Sequence, residues 1–200
     1  VDVANKDRVY AWADEVVAEH GQVDVVINNA GVVSSARLDE ISYEDFDWVF
    51  NIVFYGVLFS TKAFLPYLKE RPEANIVNIS SVNGFFPFPK NGPYNAAKHA
   101  VKGLNQTLIQ ELRHTSVRVT SVHPGGIKTN IVRNARFATG GDKGVMVKNF
   151  DKAAGTSPEK AASIIISALQ KNRKRQLVGK DAVIFDILVR LFPQGFSDLV

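Results

Sequence analysis

The 200-residue chain is long enough for one domain with a sizeable core, and its 46% hydrophobic and 22% charged residues are typical of a soluble globular protein. It contains no cysteine, which excludes disulfides and thiolate metal sites and suits a reducing cytoplasm. The net charge of +4 is mild, and the basic run 171–175 has no interleaved aromatic residues, which argues against nucleic-acid binding.

The first part of the chain predicts two helices separated by a strand. Residues 6–20 carry apolar residues at helical spacing, and Gly21 is expected to stop this helix. The β-branched stretch 23–31, VDVVINNAG, predicts a short buried strand that runs into a loop. Ser42 can cap a long apolar helix that follows, and we expect Pro66 to bend it.

The rest of the chain continues the alternation of strands and helices. The predicted elements are a buried strand over 74–81, a loop over 84–93, a helix from about Tyr94 to His114, a strand over 117–126, a loop or short helix over 127–156, a helix over 157–175 capped by Ser157, a short strand over 176–182 and an amphipathic segment over 182–192. Buried strands alternating with helices predict an α/β fold, a doubly wound parallel sheet in one domain over residues 1–200.

Polar residues and glycines gather where the predicted strands end. The first strand runs into Asn-Asn-Ala-Gly over 28–31, the second into Ser80 and Ser81, and the third into Pro-Gly-Gly over 124–126. In open parallel sheets, ligands bind outside the carboxyl ends of the strands. The sequence therefore predicts a binding site at this edge of the sheet.

A tyrosine and a lysine share one face of the predicted helix that begins near Tyr94. Tyr94 and Lys98 are four positions apart, so their side chains are neighbours. A phenol has a pKa near ~10, and a cation close by favours the phenolate and lowers that pKa. The pair is either a tuned acid and base or an ordinary surface contact, and the spacing alone leaves both open.

Four motifs together resemble those of the short-chain dehydrogenase/reductase family. They are NNAG after the first strand, NISSVNG after the second, YNAAK on the following helix and HPGGIKT after the third strand. The resemblance extends from Val1 to about Lys180. It implies a Rossmann-like fold and hydride transfer between a nicotinamide cofactor and a secondary alcohol or ketone.

The resemblance also implies catalytic roles. Tyr94 would be the acid/base, and Lys98 would lower the pKa of Tyr94 and hold the ribose hydroxyls of the cofactor. The spacing of the motif selects Ser81, rather than Ser80, to donate a hydrogen bond to the substrate oxygen. Asn51, in the middle of the long helix, would bend that helix and complete a proton relay to solvent. Without the resemblance, Asn51 would be a satisfied polar residue of the core.

The cofactor implied by the resemblance is NAD or NADP. Its expected contacts are Asp2 and Val3 at the adenine, Asn29, Ala30 and Gly31 at the adenosine ribose, Tyr94 and Lys98 at the nicotinamide ribose, and Ile127 and Thr129 at the carboxamide. The four histidines have no metal-ligand spacing and no carboxylate cluster beside them, so we predict no metal site.

One feature of the family does not occur in the sequence. The family begins with a strand and a glycine-rich turn that binds the pyrophosphate at a helix N-terminus, and this chain contains no such turn. We expect two further β-α units, of about 30 residues each, to precede Val1, and the alternative is that the chain is a truncated relative of the family. They would carry the glycine-rich turn and the residue that selects NAD or NADP.

These motifs predict an NAD(P)-dependent oxidoreductase, and the alternative is a non-catalytic member of the same fold that binds a nucleotide or a partner. The phenylalanines of 85–88 either pack in the core or form part of an apolar substrate wall. Residues 130–155 fall where the family has a mobile substrate loop.

Assembly and location follow from the apolar surfaces. The helices over 46–68 and 94–112 carry more apolar and small residues than one buried stripe requires, so we predict a homodimer or homotetramer through them. We find no apolar stretch of the ~18–20 residues that a membrane span needs. We therefore predict a cytoplasmic protein without a membrane span.

Overall fold

The computed structural model describes residues 1–137 and 143–195, and within them four parallel strands form the main sheet. In spatial order these strands are β1 (Val25–Asn28), β3 (Ala74–Ile79), β4 (Val117–Pro124) and β6 (Arg175–Val178). A second ladder pairs β2 (Ser34–Ser35) in parallel with β5 (Arg136–Phe137). The predicted α/β class with a doubly wound parallel sheet is confirmed.

Helices connect the strands, and their ends are capped as the sequence predicts. They are α1 (Lys6–His20), α2 (Tyr43–Phe50), α3 (Gly56–Lys69), α4 (Gly92–Glu111), α5 (Lys143–Ala153), α6 (Pro158–Gln170) and α7 (Lys180–Leu191). The hydroxyls of Ser42 and Ser157 accept backbone N–H groups at the starts of α2 and α6. Gly21 ends α1 with a φ of 76°, a left-handed conformation that glycine adopts without strain.

Side chains along β3 point alternately to the two faces of the sheet and pack in a separate core layer on each face. Ile76 packs with α1, α3 and α4 on one face of the sheet, whereas Val77 and Ile79 pack with α6 on the other. Trp12 of α1 meets Phe64 of α3 edge to face, with 5.2 Å between ring centroids. Because β1, β3 and β4 pair in parallel, their carboxyl ends lie at one edge of the sheet, where the predicted site residues lie.

The prediction that the first strand is buried is wrong for half of its residues. Val25 and Ile27 are 41% and 51% exposed, while Val26 and Asn28 are buried. β1 is an edge strand of the described sheet, paired with β3 alone. In the described part of the chain, helices cover its inner face only, so the pattern alternates instead of being apolar throughout.

The long helix is interrupted, but not by Pro66. A π-helical turn over Asn51–Tyr55 separates α2 from α3, and Pro66 lies inside α3. The whole run Tyr43–Lys69 is long and apolar enough to cross a membrane, so our statement that no stretch reaches this length is wrong. Of its most apolar window, 44% is buried in the fold, and core helices of soluble proteins meet the same criterion.

Several boundaries differ from the sequence prediction. β6 ends at Val178, and α7 begins two residues later, because Gly179 turns the chain with a φ of 104°. The segment expected to be a loop or short helix contains both β5 and α5. Of the predicted mobile segment 130–155, residues 138–142 lie outside the described residues.

Candidate active site

Tyr94 and Lys98 lie on the first two turns of α4, at the carboxyl edge of the sheet. Pro93 occupies the start of the helix, where its missing N–H costs nothing. The half-buried ring of Tyr94 packs on an apolar cluster that includes Val49 and Val53. The Lys98 Nζ atom lies 5.4 Å from the centre of this ring, so the predicted pair is formed.

The ammonium of Lys98 is buried against a backbone carbonyl. Its side chain is 3% exposed, and Nζ donates a hydrogen bond to the carbonyl of Ile79 at 2.6 Å. Burial disfavours the charged form and lowers the pKa of Lys98 from 10.5 to about 7. This lysine therefore loses its proton far more readily than an exposed one.

Burial acts on the phenol in the opposite direction. It raises the pKa of Tyr94 from 10.0 to about 12, and hydrogen bonding with Ser81 partly offsets this rise. The pKa of Tyr94 in this structure is therefore raised, where the prediction from Lys98 was a lowered one, because removal from water is the largest contribution. At neutral pH, Tyr94 is a phenol that can donate a proton.

The two serines at the end of β3 have different partners. The Ser81 hydroxyl oxygen accepts the backbone N–H of Asn83 at 3.1 Å and hydrogen-bonds with Tyr94. The Ser80 hydroxyl is 1% exposed and donates to the carbonyl of Lys98 at 2.9 Å. Ser81 thus shares its site with the phenol, whereas Ser80 ties β3 to the helix that carries the phenol.

Close contacts around position 84 explain why a glycine follows the two serines. A Cβ atom at this position would lie 2.6 Å from the Ser80 hydroxyl and 2.9 Å from the Lys98 carbonyl. Only a residue without a side chain lets the loop after Ser81 pack directly against α4. This close approach brings the Ser81 hydroxyl within reach of Tyr94.

Two asparagines that we had not singled out connect the same two elements. The Asn83 side chain donates to Asn95 Oδ1 at 2.7 Å, and Asn95 in turn donates to the carbonyl of Phe88 at 2.8 Å. They hold the loop after Ser81 to the first turn of α4. Both residues lie within the motifs NISSVNG and YNAAK. Their polar side chains, close in sequence to candidate catalytic residues, were the signal by which the sequence could have identified them.

Asn51 begins the π-helical turn and is exposed. Its carbonyl accepts the N–H of Gly56, a bond that spans five residues. The helix is therefore irregular at the position where the family resemblance expects a bend. The alternative that Asn51 is a polar residue of the core is wrong.

The predicted adenosine contacts lie around the end of β1. Val3, Asn29 and Ala30 line a cleft of about 230 Å³, and Asn29 and Ala30 are exposed. The exposed Asp2 carboxylate accepts the N–H of Ala4 at 3.0 Å. A Cβ atom on Gly31 would meet only the Asn29 carbonyl, at 3.9 Å. The chain itself leaves space at this glycine, which fits a nucleotide lying against the backbone.

The loop after β4 carries the remaining predicted contacts. Ile127 is half-buried against α6, and Thr129 is exposed. The N–H of Gly126 donates to the Asp181 carboxylate at 2.5 Å, and a Cβ on Gly125 would collide with that carboxylate. Asp181, which we had not singled out, thus anchors the loop from the start of α7. No local pattern indicates this contact between residues 55 positions apart.

The phenylalanines after Ser81 divide between core and surface. Phe85 and Phe86 are 7% and 1% exposed and pack in a cluster with α7, where Phe86 lies 4.5 Å from the ring of Phe185. Phe88 is half-buried at the edge of this cluster. Phe88 is therefore the ring of this segment best placed to meet a substrate.

Comparison with known proteins places this geometry in a family. The family profile described as short chain dehydrogenase matches residues 1–139. SadH of Mycobacterium tuberculosis, which carries the provisional name of an oxidoreductase, is 41% identical over 204 aligned residues that cover 100% of this chain and 74% of SadH. A 3-ketodihydrosphingosine reductase of Bacteroides thetaiotaomicron is 35% identical over 138 residues, 69% of this chain and 51% of that protein.

A solved structure has the same fold. It is a short-chain dehydrogenase/reductase from Burkholderia phymatum in complex with NAD, with a TM-score of 0.87 and 28% sequence identity. The alignment covers 98% of this chain and 74% of the Burkholderia protein. The similarity therefore extends over the sheet, the helices and the loops at its carboxyl edge.

Proposed function

Because the chain belongs to the short-chain dehydrogenase/reductase family, a family of oxidoreductases that use NAD or NADP, we propose that it interconverts a ketone and a secondary alcohol with an apolar body. The observation that carries this proposal is the group formed by Ser81, Tyr94 and Lys98. A hydrogen-bonding hydroxyl, a phenol and a buried amine meet at the carboxyl edge of the sheet.

The chemistry divides between the cofactor and the side chains. The nicotinamide, when bound, supplies or accepts the hydride. Ser81 donates a hydrogen bond to the substrate oxygen and holds it beside Tyr94. Tyr94 gives its proton to that oxygen in the reducing direction and takes it back in the oxidising direction. Its raised pKa keeps the phenol protonated at neutral pH.

Residues around the sheet edge would hold the cofactor. Asn29, Ala30 and Gly31 would lie against the adenosine, and Lys98 would donate to the ribose hydroxyls. The loop anchored by Asp181 would present Ile127 and Thr129 to the carboxamide. Asp2 and Val3 would complete the adenine end, and Asn51 would connect Lys98 with solvent.

Apolar residues at the rim support an apolar substrate. Leu38 is 75% exposed and lies beside Gly92, at the helix end that carries Tyr94. Pro87 is exposed and Phe88 is half-buried in the loop that leads to the same helix end. A relative named 3-ketodihydrosphingosine reductase agrees with a ketone substrate of this kind.

A series of 2-alkanones tests the proposed substrate class. With the full-length protein and NADPH or NADH, we expect kcat/KM to rise about fourfold for each added methylene, because burying a CH₂ group contributes ~0.8 kcal/mol. The rise should stop when the chain extends beyond the apolar rim. Oxidation of the reduced cofactor, followed by absorbance, gives the rates.

A matched ketone provides the control for this series. 8-Hydroxy-2-octanone has the carbon chain of 2-octanone but ends in a hydroxyl. Burying this hydroxyl without a hydrogen-bond partner costs about 1–3 kcal/mol. The hydroxyketone should react more slowly than 2-octanone. Equal rates for both would contradict an apolar pocket, and no turnover of any ketone or alcohol with either cofactor would contradict the oxidoreductase itself.

The proposed assembly is a homodimer or a dimer of dimers through α2, α3 and α4. Half-buried or exposed rings form a continuous row along α2, the π-helical turn and α3: Phe46, Phe50, Phe54, Tyr55 and Phe59, with neighbouring centroids 5.3–6.2 Å apart. On α4, Ala96 and Gly103 are exposed small residues that would let a second copy approach closely.

A glycine substitution tests this interface without disturbing the subunit. A Cβ on Gly103 meets nothing within 4 Å, so Gly103→Glu should leave the fold intact while placing a charged side chain between the helices. We expect light scattering to give a dimer or tetramer for the wild type and smaller species for the variant. Gly155→Glu is the control, since Gly155 is equally open but lies outside these helices. A monomeric wild type would refute the proposal.

A further inference from the structure

A row of hydrogen-bonded polar side chains crosses the apolar core between β1 and the site. Every member is at least nine-tenths buried: Asn28 on β1, Asn78 on β3, Asn105 on α4, and Ser121 and His123 on β4. Burying this many polar groups is costly unless each has a partner. The row ends at the backbone carbonyl of Ser81, a residue of the candidate active site.

The three asparagines donate in one direction along the row. The amide of Asn28 donates to Asn78 Oδ1 at 2.7 Å, and the amide of Asn78 donates to Asn105 Oδ1 at 2.6 Å. Asn105 then donates to the Ser121 hydroxyl oxygen at 2.9 Å. Because this oxygen accepts from Asn105, the proton of Ser121 is free to point toward its next neighbour.

That neighbour is the imidazole of His123. Its Nε2 atom lies 3.0 Å from the Ser121 hydroxyl oxygen, and its Nδ1 atom lies 3.2 Å from the Ser81 carbonyl oxygen. A carbonyl only accepts hydrogen bonds, so Nδ1 must carry the proton. In the neutral ring Nε2 is then an acceptor, and the hydroxyl of Ser121 supplies the proton it needs.

The Ser81 carbonyl lies at the point where β3 leaves the sheet. The N–H of Ser80 still donates to the carbonyl of Val122 on β4, at 2.8 Å. After it the chain turns away, and the Ser81 carbonyl accepts the N–H of Gly84 at 3.0 Å within that turn. The ring of His123 therefore provides the connection from Ser81 to β4.

We propose that His123 is a positioning residue, held by the buried row as the neutral Nδ1–H tautomer, and that its hydrogen bond to the Ser81 carbonyl sets the position of the Ser81 hydroxyl relative to Tyr94. This inference rests on the proposed function of Ser81. It assigns a role to a histidine outside the group formed by Ser81, Tyr94 and Lys98.

The surroundings of His123 keep the ring neutral. Burial lowers its pKa from 6.5 to about 4. The charged groups that face it are Lys102 of α4, Arg175 of β6 and Asp186 of α7, and the ring of Phe85 lies 5.6 Å away. The two cations disfavour a further positive charge, so the ring stays neutral over the physiological range of pH. The hydrogen bonds of the row then select the single tautomer with the proton on Nδ1.

Two substitutions separate positioning from packing. In His123→Asn, the side-chain nitrogen can take the place of Nδ1 and donate to the Ser81 carbonyl. In His123→Gln, the longer side chain matches Nε2 and Ser121 but has no donor at the Nδ1 position. Gln fills more of the ring volume than Asn, so loss of packing alone would harm the Asn variant more.

The two variants are compared in the full-length protein with the best 2-alkanone. We expect His123→Asn to keep kcat within about threefold of wild type and His123→Gln to lower it at least ~10-fold, because small displacements of a positioned group are costly. Cofactor affinity should be unchanged in both. Equal kcat values for the two variants, or a greater loss for Asn, would overturn the inference.

The tautomer is measured independently of turnover. Ring ¹⁵N NMR of the wild type should show His123 protonated at Nδ1 only, and unchanged over the physiological range of pH. A proton on Nε2, or titration of the His123 ring within that range, would overturn the inference. This result stands even if no ketone is reduced, which would refute the proposed function alone.

Discussion

Replacing Tyr94 with phenylalanine is expected to lower turnover of the best ketone by at least ~10²-fold and by as much as ~10⁴-fold, the range that general acid–base catalysis contributes. The variant loses one hydroxyl, and with it the proton that Tyr94 gives to the substrate oxygen. The ring itself still packs against Val49 and Val53, so the fold should be retained. Cofactor affinity, measured by nicotinamide fluorescence, should change little.

The control for this substitution is another tyrosine on the same protein. Tyr43 is 89% exposed on α2, so Tyr43→Phe removes a hydroxyl outside the site. The Tyr43→Phe variant should turn over the ketone at the wild-type rate. If Tyr94→Phe keeps a tenth of wild-type activity, Tyr94 is not the acid/base.

Replacing Lys98 with methionine is expected to reduce activity and to increase stability. Met has nearly the length of Lys but cannot donate to the ribose hydroxyls or carry charge beside Tyr94. Turnover should fall by ~10²-fold or more, with weaker cofactor binding, as expected for loss of a charged hydrogen-bonding group at the reacting centre. Steady-state rates and a cofactor titration measure the two effects.

The gain in stability follows from the pKa of Lys98. The pKa of Lys98 is about 7 in the folded protein, whereas the ordinary value, which applies to the unfolded chain, is 10.5. Between these two pH values the unfolded chain therefore binds more protons than the folded protein. Wild-type stability therefore rises as pH increases from 7 toward 10.5. The difference corresponds to roughly 5 kcal/mol at ~1.36 kcal/mol per pH unit, which sets the scale of what Met could recover at neutral pH.

Urea unfolding at pH 7 and pH 9.5 measures this effect. The Lys98→Met variant should be more stable than wild type by a few kcal/mol at pH 7, with a smaller advantage at pH 9.5. Lys160 is exposed on α6, and Lys160→Met should change stability little at either pH. A Lys98→Met variant that is less stable at pH 7 would contradict a costly buried ammonium.

Local patterns sufficed for the order of elements and for the composition of the site. Caps such as Ser42 and Ser157, the apolar strands and the stop at Gly21 act within a few residues of chain, so the sequence reveals them directly. The i,i+4 spacing of Tyr94 and Lys98 likewise depends only on helix geometry. Together with the motifs at the strand ends, these features predicted the fold class and the family.

Features that depend on distant neighbours were not predictable in this way. The exposure of Val25 and Ile27 depends on which strands and helices lie beside β1, and the burial of Phe86 depends on α7, about 100 residues later. The ladder between β2 and β5 and the anchoring of Gly126 by Asp181 also join residues far apart in sequence. No local periodicity reports such contacts.

The sequence by itself determined which residues meet at the carboxyl edge of the sheet, because strand order and helix spacing bring them there. Only the tertiary structure decided their protonation. The pKa of Tyr94 rises and that of Lys98 falls because the residues packed around both groups disfavour their charged forms. His123 became a candidate for positioning Ser81 because β4 places its ring beside that carbonyl. Desolvation and hydrogen-bond direction depend on what packs around a group, and residues remote in the chain provide that packing.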